Sequence, residues 1–293
     1  MSSESNESAP AESPFRHEST ARDEAPQYVL PLVVRIEKAA PPTRTDALET
    51  AARAVLTLLS DERALGEGEN EGEWAQAVRD WQDARIRKVV RRARGAEWRR
   101  ACTLPGITVT GRGPLAQAPA TDGAPPADGA PPADGAPASA ADGAPVADGA
   151  PTAEAGASSS VAEVRVFPPV PLDGWPKELA KLQVSGTDLD DPAPPPPADP
   201  AHPVLWLSPD LDMSAGKAMA QAGHGAQLAW WELPETDRAS WRDAGFPLSV
   251  RTADPTQWRQ LTTAGLPVVR DAGFTEIAAG SCTVVADHPS LRR

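Results

Sequence analysis

Three polar side chains recur at helical spacing between Val204 and Trp231, and they are the first candidates for chemistry. Lys217, Gln221 and His224 stand at i, i+4 and i+7 of a helix that Ser214 is suited to cap. The opposite face carries alanine and methionine, which pack well against a sheet. A lysine in the first turn opposes the helix dipole, so its presence indicates a task such as gripping phosphate. The alternative is a solvated lysine beside a surface histidine.

A second run, from Leu266 to Pro289, reads as a strand, a polar loop with glycine, and another strand. Asp271, Thr275 and Thr283 lie in that loop or at the strand ends. Each has a structural alternative, because Asp-Ala-Gly is ordinary turn chemistry and threonine favours strands. The run becomes informative when it is considered together with the helix.

Together the two runs resemble the archaeal and eukaryotic type of peptidyl-tRNA hydrolase, the second of two unrelated families with that activity. The resemblance rests on a strand followed by a helix with the pattern DxxMxxGKxxxQxxH, and then on the pattern DAGxTEIxxGSxTV. It covers about residues 203–289, roughly one small domain. The Gly216-Lys217 pair does not form a phosphate-cradling P-loop, because Leu211 stands where that motif needs glycine.

The resemblance implies hydrolysis of the ester that joins a peptide to the ribose at the tRNA 3′ end. Such a reaction needs an activated water, a proton for the ribose oxygen and donors around the oxyanion. We assign Asp271 to position the water as base, Lys217 to hold Asp271 ionised or stabilise negative charge, and Thr275 to the oxyanion or the water. The residues expected to contact the substrate nearby are Gln221, His224 and Thr283.

No metal and no cofactor are expected. Asp210 and Asp212 precede the helix and could join Asp271 around a metal, but no histidine or carboxylate spacing supports such a site. Cys102 and Cys282 lie far apart without a CxxC pattern, which predicts neither a zinc site nor a disulfide framework and is expected for a reducing cytoplasm.

Composition limits how much of the chain can form a core. The 293 residues include 33 prolines and 22 glycines, and the formal net charge is -13. This charge argues against the whole chain being a non-specific nucleic-acid binder. The N-terminus has no apolar signal region, and no run of about 18 apolar residues occurs. We therefore expect a cytoplasmic protein without a membrane span.

Composition shifts divide the chain into segments. Residues 1–26 are polar and acidic and are predicted to be a disordered tail. Residues 27–187, the first half, carry strand and helix patterns but contain a low-complexity insert at 117–160 with ADGAP-like units. Residues 188–202 are a proline-rich linker, and residues 203–293, the second half, are the hydrolase-like domain.

Both halves give the same order of elements: strand, helix, helix, strand, helix, strand, loop or insert, strand. Thr45 or Asp46 is suited to cap the first helix, and Trp175–Val184 is predicted to be a short helix after the last strand. The predicted fold class is α/β, with two small three-layer domains whose mixed sheets are flanked by helices. We interpret the halves as a tandem duplication with a degenerate first copy; the alternative is two α/β domains that share an order of elements.

A dense positive run lies between Arg85 and Arg100, in the half that lacks the catalytic pattern. From this run we predict Arg91 and Arg92 as contacts to the phosphates of tRNA. The alternative is an ordinary solvated face. With tRNA contacts in the first half, the chain would act as a monomeric pseudo-dimer; otherwise a homodimer would supply them.

Other functions are also compatible with these patterns. The main alternative is a non-catalytic tRNA- or ribosome-binding protein that keeps the fold. A third possibility is an amide or ester hydrolase that acts on small substrates without tRNA.

Overall fold

A computed structural model describes residues 26–113, 159–273 and 276–292. Most of the predicted tail, most of the predicted insert and the candidate Thr275 lie outside the described residues. In the first half the elements are β1 Tyr28–Arg35, α1 Arg44–Leu59, α2 Ala75–Asp83, β2 Arg87–Ala93, α3 Gly95–Ala101, β3 Ile107–Thr110, β4 Glu163–Val166, β5 Val170–Pro171 and α4 Lys177–Ala180. In the second half they are β6 Val204–Leu207, α5 Ala215–Glu232, α6 Glu235–Asp243, β7 Ser249–Thr252, α7 Pro255–Leu261, β8 Val268–Arg270 and β9 Cys282–Asp287.

Each half builds one mixed sheet, and the two sheets have the same strand order. The first sheet runs β2-β1-β4-β3, with β5 paired to the start of β1, and the second runs β7-β6-β9-β8. In both sheets the first two strands of the half are parallel, and the other neighbours are antiparallel. The third strand of each half, β3 or β8, therefore lies at a sheet edge, and the loop that follows it contacts the first turn of α1 or α5.

Successive side chains of the central strands point to opposite faces of the sheet, and apolar residues are buried on both faces. In β1, Leu32 and Val34 face the core that contains α1, whereas Val33 packs with Trp98 of α3 on the other face. In β9, Val284 faces the same central core, and Val285 packs with Trp258 of α7. The predicted α/β class, with mixed sheets flanked by helices, is confirmed.

Between α2 and β3 in the first half and between α6 and β8 in the second, the halves also share local geometry at an offset of 160 positions. The nine-residue helices α2 and α6 are related by this offset, as are the seven-residue helices α3 and α7. Trp81 and Trp241 each donate their indole N–H to the carbonyl six residues further on, at 2.8 and 3.0 Å. Ile86 and Phe246 then both adopt a positive φ, of 43° and 53°. These pairs identify equivalent positions in the two halves.

The long helices α1 and α5 pack against each other between the two sheets. A Cβ on Gly223 would lie 2.9 Å from Val55 Cγ2 and 3.3 Å from Lys88 Cδ, so the helices approach closely only because glycine stands there. Residues of both halves consequently share one buried apolar cluster, which includes Val55 of α1 and Met219 of α5.

A buried ion pair also joins the halves. Glu49 of α1 accepts hydrogen bonds from Arg251 Nη1 at 2.7 Å and from the Val250 N–H at 3.1 Å. Arg251 Nε donates to the carbonyl of Pro196 in the proline-rich segment, at 2.9 Å. Burial raises the pKa of the Glu49 carboxyl, and the adjacent Arg251 guanidinium opposes that shift.

The local predictions differ from the structure in two places. Thr43, and not Thr45 or Asp46, caps α1, because the Thr43 side chain accepts the Asp46 N–H. The helix predicted over Trp175–Val184 is confined to Lys177–Ala180, since the chain then turns to let Gln183 accept the N–H of Arg92. Within the described residues, none of the helices is long and apolar enough to cross a membrane.

Replacing Arg251 with Met is expected to lower the free energy of unfolding by about 3–5 kcal/mol, because it leaves the Glu49 carboxylate buried without its cation. The double variant Glu49→Gln/Arg251→Met should regain most of this loss, since the amide still accepts the Val250 N–H. Urea unfolding at neutral pH measures both. A double variant as unstable as the single one would contradict this explanation.

Candidate active site

The helix-borne lysine and the loop-borne carboxylate meet. Ser214 caps α5 by accepting the N–H of Lys217 at 3.2 Å, which fixes the first turn. Asp271 follows directly after β8, and its Oδ2 accepts from Lys217 Nζ. The two side chains are only 13% and 6% exposed, so the pair is largely shielded from bulk water. Such a pair retains more of its electrostatic interaction than a surface pair does.

A hydrogen-bonded chain orients the Asp271 carboxylate. Gln221 donates its amide to Oδ2 at 2.7 Å, and the N–H of Gly273 donates to Oδ1 at 2.8 Å. The buried hydroxyl of Thr283 in turn donates to Gln221 Oε1 at 2.6 Å, which fixes the direction of the Gln221 amide. The carboxylate is therefore held between α5 and the loop in one orientation.

The loop after Asp271 is also fastened to the start of α5. Glu276 accepts the Ser214 hydroxyl at 2.8 Å and the Ser214 N–H at 3.1 Å. A carboxylate at a helix N-terminus interacts favourably with the helix dipole. The loop is therefore attached to α5 at two positions, at Ser214 through Glu276 and at Gln221 through Asp271.

His224 lies one turn further along α5 and contacts a lysine of the first half. Lys88 of β2 donates to His224 Nδ1 at 3.1 Å and to Gln227 Oε1 at 2.5 Å. Burial lowers the pKa of the Lys88 amine well below its usual range. Burial, together with the charges of Lys88 and Lys217, lowers the pKa of the His224 imidazole. At neutral pH His224 is therefore uncharged.

These side chains line a cavity of about 410 Å³ between the two halves. One wall is α5 and the loop after β8, with Lys217, Gln221, His224 and Asp271. The other wall belongs to the first half and consists mainly of residues 85–90, at the edge of its sheet. The volume lies in the range of small-molecule sites. Such a site can take one end of a large substrate while the remainder stays outside.

The sequence candidates fall into three groups. Lys217, Asp271, Gln221 and Thr283 form one connected network, and His224 lines the same cavity. Thr275 lies outside the described residues. The two predicted phosphate contacts, Arg91 and Arg92, lie late in β2 and are not among the residues that line this cavity.

Arg91 and Arg92 hold the chain that follows α4. Arg91 donates to the carbonyls of Ala180 and Leu182, at 3.2 and 2.5 Å, and Arg92 donates to the side chain of Gln183. Instead, the cationic residues of the first half that line the cavity are Arg85, Arg87 and Lys88. Their place in the positive run was visible in the sequence, but nothing there put them opposite α5.

The equivalent positions of the first half have a different arrangement. Asp46, the third residue after the cap, stands where the second half has Lys217, and Gly111 stands where it has Asp271. The buried Asp46 carboxylate accepts the N–H groups of Arg112 and Ala162, at 2.9 and 2.8 Å. A Cβ on Gly111 would lie 2.2 Å from Asp46 Oδ2. In this half the Asp46 carboxylate is therefore hydrogen-bonded to backbone N–H groups and not to a lysine.

Comparison with known proteins agrees with the resemblance found in the sequence. Residues 202–292 match the family model described as Peptidyl-tRNA hydrolase PTH2. A Drosophila melanogaster protein described as "Probable peptidyl-tRNA hydrolase 2" is 37% identical over 101 residues, which is 30% of this chain and 52% of that protein. The chain therefore spans about half the length of that relative. The predicted resemblance of the C-terminal region is confirmed.

Replacing Lys88 with Met is expected to raise the pKa of His224, because one of the positive charges that lower it is removed. The pKa should remain below the ordinary histidine value, since burial is the larger cause. NMR titration of the His224 Cε1–H resonance measures the shift, with the half-buried His202, which lies outside the cavity, as reference. An unchanged His224 titration would show that Lys88 does not act on this ring.

Proposed function

We propose that this protein hydrolyses the ester bond of peptidyl-tRNA, releasing free tRNA and peptide, at the cavity between its halves. The observation that carries the proposal is the contact of Lys217 with Asp271 inside that cavity, both within the residues that match the hydrolase family model. The family match covers residues 202–292, and the Lys217–Asp271 contact supplies the reactive groups that the proposed hydrolysis needs.

Asp271 is the base of the proposed reaction. Its carboxylate takes a proton from a water as the water oxygen bonds to the ester carbonyl carbon, giving a tetrahedral intermediate. The bond to the ribose oxygen then breaks, and that oxygen takes the proton from Asp271. The products are a peptide with a free carboxyl group and a tRNA with a free hydroxyl.

The neighbouring groups stabilise charge and hold geometry. Lys217 keeps its ammonium beside the carboxylate and the developing oxyanion, where a shielded charge is most effective. Gln221 and Thr283 position Asp271 through their hydrogen bonds. The assignment of Thr275 as a donor to the oxyanion or the water rests on the resemblance of its loop. His224 contributes a neutral donor at the cavity wall.

We also propose that the two halves arose by tandem duplication, so that one chain acts as a pseudo-dimer. The common strand order, the constant offset between paired helices and the paired positive φ angles support this origin. Asp46 and Gly111 then mark the first copy as the one that lost its catalytic pair. We also propose a cytoplasmic location and a reaction that uses no cofactor.

Lys217→Ala and Asp271→Asn are expected to lower kcat by a factor of about 10²–10⁴, because each removes a group that acts in the transition state. The assay measures release of free tRNA from a model N-blocked aminoacyl-tRNA. The matched controls are Lys177→Ala and Asp243→Asn, which remove the same charges from exposed positions on α4 and α6.

Near-normal turnover by Lys217→Ala or Asp271→Asn would contradict the proposed site. Binding of tRNA by the wild-type protein without any release would favour the non-catalytic tRNA-binding alternative. Equal turnover of a small ester and of the tRNA substrate would favour a hydrolase for small substrates.

A further inference from the structure

The cavity is cationic although the chain as a whole is acidic. The formal net charge of the protein is -13. The acidic residues in the described lining are Asp271 and Glu276, of which the first pairs with Lys217 and the second with the start of α5. The basic residues of the lining are Arg85, Arg87, Lys88, Lys217 and Arg270. Even without Lys88, whose buried amine has a lowered pKa, cations outnumber acids.

The cations of the first-half wall have no counterparts at the equivalent positions of the second half. The offset that relates Trp81 to Trp241 and Ile86 to Phe246 relates Arg85 to Gly245, Arg87 to Pro247 and Lys88 to Leu248. Backbone geometry is kept across this turn, since both positive φ residues recur. The charge difference is therefore not required by the fold of the turn.

The two halves thus carry complementary features around one cavity. The second half has Lys217 and Asp271, whereas the turn that leads into β7, Gly245 to Leu248, is uncharged. The first half has Asp46 and Gly111 in place of the pair, and its strand start carries the arginines. The cavity where the catalytic pair faces Arg85 and Arg87 combines both features.

We propose that Arg85 and Arg87 bind phosphates of the tRNA 3′ end, so that the half without the catalytic pair supplies the anion-binding wall of the active cavity. This inference rests on the proposed function and names the part of the substrate that the first half holds. Arginine suits the role because its planar fork binds phosphate oxygens in pairs and stays charged. Both guanidinium-bearing residues are half-buried at the cavity, where charges are less screened than on the surface.

The test compares substrates with and without phosphates. In Arg85→Gln/Arg87→Gln, KM for a full-length N-blocked aminoacyl-tRNA should rise on the order of 10- to 100-fold with kcat nearly unchanged, because phosphate contacts outside the reacting bond bind substrate and transition state alike. Turnover of an N-blocked aminoacyl ester of adenosine, which has no phosphate, should not change. That second measurement also shows that the variant is folded.

A binding measurement gives an independent result. The slope of log affinity for uncharged tRNA against log salt concentration should flatten by about 1.4, as expected for two contacts to a single strand. The control Arg99→Gln/Arg100→Gln removes the same charge from exposed positions on α3, outside the cavity, and should flatten the slope less. Arg85→Lys/Arg87→Lys should retain most of the slope.

The inference is overturned if the control flattens the slope equally, or if the phosphate-free ester loses as much turnover as the tRNA substrate. An equal change of slope in the control would mean that the overall charge of the protein, and not these two arginines, sets the salt dependence. A loss of turnover with the phosphate-free ester would mean that the substitutions disturb Lys217 and Asp271. Because uncharged tRNA is used for the slope, this measurement keeps its meaning if the wild-type protein proves to hydrolyse no tRNA ester.

Discussion

The close packing of α1 on α5 is the constraint on which the cavity depends. At Gly223 the helices approach so closely that an added methyl group would meet Val55. This approach brings the edge strand β2 of the first half over the polar face of α5. A wider separation would move Lys88 away from His224 and open the cavity to water. Apolar packing between the halves therefore determines the electrostatics of the polar site.

Shielding from water explains why a few polar groups decide the properties of the site. Lys88 and His224 are held where charged forms are costly, so the pKa values of both fall. Lys217 and Asp271 are also shielded, but they carry opposite charges and contact each other directly. Like charges on the same helix face would repel strongly here. A neutral His224, about two turns along α5 from Lys217, therefore adds no further cation to this face of the helix.

The sequence was sufficient for the local part of this site. Helical spacing put Lys217, Gln221 and His224 on one face, and strand and turn patterns put Asp271 beside a strand end. A shared order of elements also predicted two α/β units. These features depend on residues close in sequence or on motifs of fixed spacing. The same reasoning missed the cap at Thr43, because Thr45 and Asp46 have similar capping propensities and only the backbone decides among them.

The contacts between the halves could not be predicted from spacing. Lys88 and His224 are separated by 136 positions, and no periodicity in either segment indicates that they meet. The positive run identified a set of arginines, but their positions along β2 decide which of them line the cavity. Arg91 and Arg92 come late in β2, where their side chains bind the chain after α4. Arg87 begins β2 and Arg85 lies two residues before it, and both line the cavity. Only tertiary structure separates these two groups.

The proposed tandem duplication would remove a restriction that symmetry places on a dimer. In a homodimer every substitution occurs twice, so a residue that improves one wall of a cleft also changes the equivalent wall of the other. In a tandem chain the copies can differ. Asp46 can then hold the backbone N–H groups of Arg112 and Ala162 in the first half, while the second half keeps Lys217 and Asp271. Under the proposed duplication, the proposed phosphate-binding wall and the proposed catalytic wall can lie on different copies, because a substitution in one copy does not recur in the other.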